Sequence, residues 1–143
     1  MEGKIIPAKI NQIKELLERL ERLLAYPLAE FLKNPNGIAA AERYFQLVID
    51  IASDINTELL VARNDGIADT YKQSFDRLAR HNILSQELAG LLAKGAQIRN
   101  ILVHEYDFEE DYEKFYTSAK ELLPAFREYA KAIYSYIREG QPE

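Results

Sequence analysis

Between Ile38 and Ala62 the apolar residues Ile38, Ala41, Phe45, Val48, Ala52, Ile55, Leu59 and Ala62 are spaced by threes and fours for about six turns. That period is helical, and a strand would instead alternate every second residue. The same rhythm recurs on both sides. Ile10, Ile13, Leu17, Leu20 and Leu24 predict a helix over 8–26. Pro7 lies near its start, where a missing N–H costs nothing, and Pro27 ends or kinks it. Leu28, Phe31 and Leu32 add one further turn, and Asn34-Pro35-Asn36-Gly37 reads as a turn. Asn64-Asp65-Gly66 closes the long helix. Tyr71, Phe75 and Leu78 share one side of a short helix from about Thr70 to Arg80, ended by His81-Asn82. Ser85 is the expected N-cap of the next, whose apolar face is Leu88, Leu91, Leu92, Ile98 and Leu102. Gly95 inside it costs about 1 kcal/mol relative to Ala, and either allows a close helix–helix approach or is simply tolerated. The last helix carries Tyr112, Phe115, Tyr116, Ala119, Leu123, Phe126, Ala130, Ile133 and Ile137, with Pro124 expected to kink it. No segment keeps strand-like alternation. The expected fold is an all-α, antiparallel helical bundle of five main helices, six with the piece after Pro27, in a single domain over residues 1–143.

Charge and composition narrow the class. At 143 residues and 48% apolar, the chain has enough material for one core. It has no cysteine, so disulfides and thiolate metal sites are excluded. No apolar run is long enough to span a bilayer, and the N-terminus lacks the apolar segment of a signal peptide. A cytoplasmic location with no membrane partner is expected. The net charge of −5 is not that of a general nucleic-acid binder. Any contact with RNA must use a local basic site or a larger assembly.

One stretch concentrates the chemistry. Arg99-Asn100-Ile101-Leu102-Val103-His104-Glu105-Tyr106 brings together a guanidinium, an amide, an imidazole and a phenol. Arg99 offers a planar fork of donors suited to phosphate. His104 is one of two histidines and can exchange a proton near neutrality. Asn100 can orient a ligand or the imidazole. These types fit RNA cleavage by its own 2′-hydroxyl, which needs a base, an acid for the leaving oxygen and a cation at the phosphate, and no metal. On an ideal helix Arg99 and His104 sit about 140° apart, while Arg99 and Tyr106 share a face. Arg99 and His104 converge only if the helix unwinds between them or if a second chain completes the site. One suitable histidine per chain points to a homodimer with facing motifs. There is no His/Cys ligand cluster, glycine-rich phosphate loop or G-x-S-x-G elbow, so neither metal nor cofactor is expected.

Other polar groups have plainer readings. Asp107 with Glu110 has the spacing of a helix N-cap. His81 reads as a helix-end histidine favoured by the dipole. Glu42, Arg43, Gln46, Asp50 and Asp54 recur at helical spacing along the second helix. They read as a solvated face, or else as a polar seam lining a site or a dimer contact.

Arg99-Asn100-x3-His104-x-Tyr106 resembles the Arg-x4-His-x-Tyr motif of HepT-type toxins in the HEPN superfamily. The similarity extends to Phe31-Leu32-Lys33-Asn34-Pro35, Ala41-Glu42-Arg43-Tyr44-Phe45-Gln46, Ile49-Asp50-Ile51-Ala52 and Tyr71-Lys72-x2-Phe75-x2-Leu78-Ala79. The resemblance implies the toxin of a type VII toxin–antitoxin system, an all-α homodimer and metal-independent endoribonuclease. It implies Arg99 and His104 as the catalytic pair and Asn100 as the supporting polar residue. It also implies an MntA-type nucleotidyltransferase antitoxin that silences the toxin by transferring AMP to Tyr106. To Glu42, Asp50 and Asp54 it assigns no role. The other reading of the same motif is a catalytically silent helical subunit that presents substrate to, or scaffolds, a nucleotidyltransferase.

Overall fold

A computed structural model of the chain describes residues 2–104 and 111–139. Among these residues there are six helices and no strand: α1 (Glu2–Leu24), α2 (Leu28–Leu32), α3 (Pro35–Ala62), α4 (Tyr71–Arg80), α5 (Gln86–His104) and α6 (Tyr112–Glu139). The expected all-α bundle is present, including the short piece after Pro27. None of these helices is long and apolar enough to cross a membrane.

Two helix starts differ from the periodicity-based expectation, each for a local reason. α1 begins upstream of Pro7 instead of at it. Ile6 continues the stripe of Ile10, Ile13, Leu17, Leu20 and Leu24, and all six are buried. Burial of that extra apolar turn outweighs the one backbone hydrogen bond that proline removes. Asn34-Pro35-Asn36-Gly37 is not a separate turn but the start of α3. Asn34 is the N-cap, its side chain accepting from the Gly37 N–H at 3.0 Å, and Pro35 occupies the first helical position. α6 runs unbroken through Pro124. The capping interaction expected of Asp107 with Glu110 lies outside the described residues. The cap seen at the start of α6 is Asp111, which accepts from the Lys114 N–H at 2.9 Å. Thr70 and Ser85 cap α4 and α5, accepting from the Gln73 and Leu88 N–H groups at 3.0 Å each.

α3 packs against α1, α4 and α5, while α6 packs against α1 and α5. Most neighbours are antiparallel, as expected. α4 on α3 is an exception: its start meets Asp50 in mid-α3 and its end meets Arg63 just past α3, so the two run parallel. The segment 63–70 makes this possible by turning at Asn64 (φ 60°) and Gly66 (φ 77°) and running back along the bundle. Phe45 forms edge contacts with Phe115 and Phe126 at the centre, at 5.7 and 5.4 Å. At Gly95, α5 lies close against both α3 and α6. A Cβ there would lie 3.2 Å from Ile49 and 3.3 Å from Phe126, so the close approach is real.

A buried polar chain crosses this core. The Tyr129 hydroxyl donates to Asn56 Oδ1 at 2.6 Å, Asn56 Nδ2 donates to Ser74 Oγ at 2.9 Å, and Ser74 donates to the Tyr71 carbonyl at 2.7 Å. Asn56 and Tyr129 are almost wholly buried; without Asn56 the Tyr129 hydroxyl still reaches the Ala52 carbonyl at 3.0 Å, but Ser74 Oγ loses its donor with no water to turn to. Asn56→Ala should therefore cost at least about 1–3 kcal/mol in denaturant unfolding. Burial also pushes the Tyr129 phenol well above its ordinary range. A phenol kept neutral by folding contributes stability that is full below its unfolded pKa of about 10 and is lost as pH rises past it. Guanidinium melts should weaken above about pH 10, and Tyr129→Phe should flatten that loss.

Candidate active site

Arg99 emerges from α5 one turn after Gly95, and the close packing at Gly95 brings it within reach of α3. Its Nε donates to Asp50 Oδ1 at 2.8 Å. Its guanidinium carbon lies 4.8 Å from the centre of the Tyr71 ring. The Tyr71 hydroxyl in turn donates to the same Asp50 oxygen at 3.1 Å. Three helices thus converge on one cation, with a carboxylate at one edge and an aromatic ring against its face. Arg99 Nη1 leans on the side-chain oxygen of its neighbour Asn100 at 3.4 Å. Side-chain exposure is 16% for Arg99 and 29% for Asp50, so the pair is shielded but open on one side.

The order of the parts follows from the fold. Thr70 caps α4, which fixes Tyr71 as its first residue, and the buried chain through Ser74 holds the Tyr71 carbonyl. The hydroxyl of Tyr71 is a dependable donor. Burial first, then the nearby Asp50 charge, raises its pKa above the ordinary phenol value, with Arg99 opposing. A guanidinium carries five N–H donors. Asp50 and Asn100 engage two of them, and the fork retains donors for an anion.

The sequence-predicted residues are placed as follows. Arg99 and Asn100 stand side by side at this cluster. His104 is the last residue of α5; its side chain, and all of Tyr106, lie outside the described residues. α5 stays α-helical from Arg99 to His104, so of the two routes to convergence the chain does not take unwinding. On an ideal helix those two positions are about 140° apart.

Two members of the cluster were not legible as such. Asp50 was one of several polar positions on α3, and the seam reading is the one that fits it. The spacing of α4 sets Tyr71 on one side with Phe75 and Leu78 and gives no sign of a partner on α5. Asp54, on the same helix, belongs elsewhere: it pairs with Lys9 of α1 at 3.5 Å. His81 is at the helix end as expected, the C-cap of α4, and it does more there. Its Nδ1 accepts from Arg63 Nε at 3.1 Å, and its Nε2 lies 2.9 Å from Asp65 Oδ2. That hydrogen bond is the main reason the Asp65 carboxyl sits below the usual range. His81 is thus a clasp between the ends of α3 and α4, beyond any interaction with the helix dipole.

Known proteins share this arrangement of chain and helices. The tRNA nuclease HepT of Aphanizomenon flos-aquae is 30% identical over 137 residues, covering 96% of this chain and 92% of the relative. The mRNA nuclease HepT of Shewanella oneidensis is 31% identical over 105 residues, covering 71% and 76% respectively. Among solved structures, a tri-AMPylated Shewanella oneidensis HEPN toxin in complex with an MNT antitoxin superposes with a TM-score of 0.84. It is 24% identical and covers 92% of this chain and 98% of that one, a likeness of fold. A family model described as "Ribonuclease HepT-like" matches residues 13–133, which takes in α3, α4, α5 and the Asp50–Tyr71–Arg99 cluster. With the family model spanning most of the chain and a curated relative matched almost end to end, the chain belongs to the HepT-like ribonuclease family.

Proposed function

We propose that this protein is the toxin of a two-component system, a cytoplasmic endoribonuclease that cuts RNA without a metal and is silenced by a nucleotidyltransferase antitoxin. The observation that carries the reading is the state of Arg99. A solvated arginine samples many rotamers, and this one is fixed at its edge by Asp50 and at its face by Tyr71. Fixing the cation before substrate arrives removes an ordering cost at the moment of reaction.

In the proposed reaction the 2′-oxygen attacks the adjacent phosphorus as a base removes its proton. The 5′-oxygen leaves with a proton from an acid, giving a 2′,3′-cyclic phosphate and a 5′-hydroxyl end. Arg99 stabilises the charge on the phosphoryl oxygens, His104 moves the proton, and Asn100 orients the substrate or the imidazole. Because α5 is helical between them, Arg99 and His104 of one chain diverge. The reading therefore takes the site as composite, formed by two chains of a homodimer with facing motifs. The names of the relatives support RNA as substrate: one is a tRNA nuclease and one an mRNA nuclease. The Shewanella toxin in complex with its MNT antitoxin supports the partner.

The test is cleavage of RNA by the purified protein in EDTA, with His104→Ala alongside. Wild type should leave 2′,3′-cyclic or 3′-phosphate ends and spare a substrate that lacks the 2′-hydroxyl. His104→Ala should lose the activity and keep its helical spectrum. Equal cutting of DNA, or unimpaired cutting by the variant, rejects the mechanism. A monomer by light scattering that still cuts RNA rejects the composite site. A chain that never cuts RNA yet binds its transferase supports the silent-subunit reading instead.

A further inference from the structure

An open cleft of about 510 Å³ lies between the start of α4 and the middle of α5, next to Arg99. Its walls are Thr70, Lys72 and Asp76 of the α4 side and Lys94, Gln97 and Asn100 of α5. The position is tied to the site at two points. Tyr71, which stacks on Arg99, sits in sequence between Thr70 and Lys72. Asn100, which touches Arg99, forms part of the wall. The space exists because α5 is lined there with small residues, Gly90, Ala93 and Ala96.

The lining mixes the small apolar residues Gly90, Ala93 and Ala96 with two lysines, Lys72 and Lys94, the amides of Gln97 and Asn100, and one carboxylate, Asp76. Lys72 and Lys94 approach from opposite helices. The ion pairs among the described residues are at Lys9, Arg22, His81, Arg99 and Arg127, so neither lysine is spent on a carboxylate there. In a chain of net charge −5, two such lysines beside one cleft stand against the overall field. A lining of this kind pairs with ligand charge and still accepts a flat apolar surface. It suits a strand that carries a negative charge at every step and offers polar base edges and hydroxyls between the charges.

We propose that this cleft binds the RNA nucleotide flanking the scissile phosphate, with Lys72 and Lys94 each taking one of the phosphates on either side of it. Gln97 and Asn100 face the base edge or the 2′-hydroxyl, and Asp76 accepts from an amino or hydroxyl group. The inference rests on the ribonuclease reading of Arg99 and extends it. The strand would leave Arg99 across Asn100 and enter the cleft, so that contacts remote from the reacting bond set its register on the enzyme.

The experiment measures cleavage and equilibrium binding of a single-stranded RNA of mixed sequence by the full chain, over a range of salt. Wild type is compared with Lys72→Gln, Lys94→Gln, the double variant, Gly90→Met, and Lys131→Gln as a charge control on the α1–α6 face. Each lysine that holds a phosphate releases counterions, so each loss should lower the slope of log K against log salt by about 0.7. The double variant should raise KM roughly tenfold and leave kcat nearly unchanged, the pattern of lost uniform binding. Gly90→Met should raise KM without touching a charge. A Cβ at Gly90 meets nothing within 4 Å, and methionine is the better helix former, so the melting temperature should not fall. If wild type cuts RNA while the double variant keeps the same KM and slope, this inference fails and the ribonuclease reading stands. The same holds if Lys131→Gln matches the double variant. A wild type that neither binds nor cuts RNA overturns both.

Discussion

Arg99→Ala should lower the rate of RNA cleavage by roughly a hundred- to a thousandfold, in kcat more than in KM, because a preorganised donor aimed at developing phosphoryl charge acts mainly in the transition state. Arg99→Lys should recover little of it, since an ammonium reproduces neither the bidentate fork nor the flat stack on Tyr71. The more telling variant is Asp50→Ala. Asp50 holds Arg99 Nε at 2.8 Å and accepts from Tyr71 at 3.1 Å, so its loss frees the guanidinium and removes the charge that partly neutralises it. Affinity for RNA should hold or improve, because an unmasked cation attracts phosphate. Turnover should fall roughly ten- to a hundredfold, because the cation is no longer held where the reaction needs it. Tyr71→Phe, which keeps the ring and removes only the hydroxyl, should fall between wild type and Asp50→Ala. Steady-state kinetics on the four variants, with circular dichroism to confirm the fold, checks the series. A parallel rise in KM across Asp50→Ala and Tyr71→Phe with unchanged kcat counts against a positioning role.

The helices were legible because their evidence is local. A three-four stripe, a threonine at position 70, a serine at 85 and a proline at 27 each act within a few residues, and α2, α4 and α5 begin or end where those signals stand. Where local signals competed, the sequence misled. Pro7 looks like a start, but the buried stripe runs on through Ile6. Asn34-Pro35 looks like a turn, but the same two residues cap and open α3. The motif was visible for the same local reason, since Arg99 to Tyr106 span eight residues. Its supports were not. Asp50 meets Arg99 across 49 positions, and that meeting is set by how closely Gly95 lets α5 approach Ile49, the residue before Asp50. Nothing in the spacing of α3 separates Asp50, which holds the arginine, from Asp54, which pairs with Lys9 one turn later. The Asp65–His81–Arg63 clasp was hidden likewise, because it depends on α4 running parallel to α3.

Control is where substitution should have its largest consequence in the cell. Tyr106 follows the proposed catalytic histidine by two residues, and a straight helix would set it on the face of Arg99. The proposal is that the antitoxin directs the Tyr106 hydroxyl oxygen at the α-phosphorus of a bound adenosine triphosphate. An O–P bond forms, pyrophosphate leaves, and the phenolic proton passes to solvent. The product is a phosphodiester with one new negative charge and an adenosine beside Arg99 and His104. The Shewanella toxin of similar fold is described as tri-AMPylated, and each further unit would add another charge. Such a group competes with substrate twice. Its phosphate is a ready partner for the guanidinium that would hold the RNA phosphate, and its bulk occupies the approach. Tyr106→Phe removes the acceptor and leaves Arg99, Asn100 and His104 untouched. The variant should therefore cut RNA at close to the wild-type rate and remain toxic when the antitoxin is co-expressed, where the wild type is silenced. Intact mass after co-expression should show wild type heavier by one or more AMP units, tandem spectra should place them on Tyr106, and the variant should show none. If the modification falls only on another tyrosine, or if the transferase activity still silences Tyr106→Phe, control runs through a different residue. The ribonuclease proposal would then stand on the kinetics of Arg99, Asp50 and His104 alone.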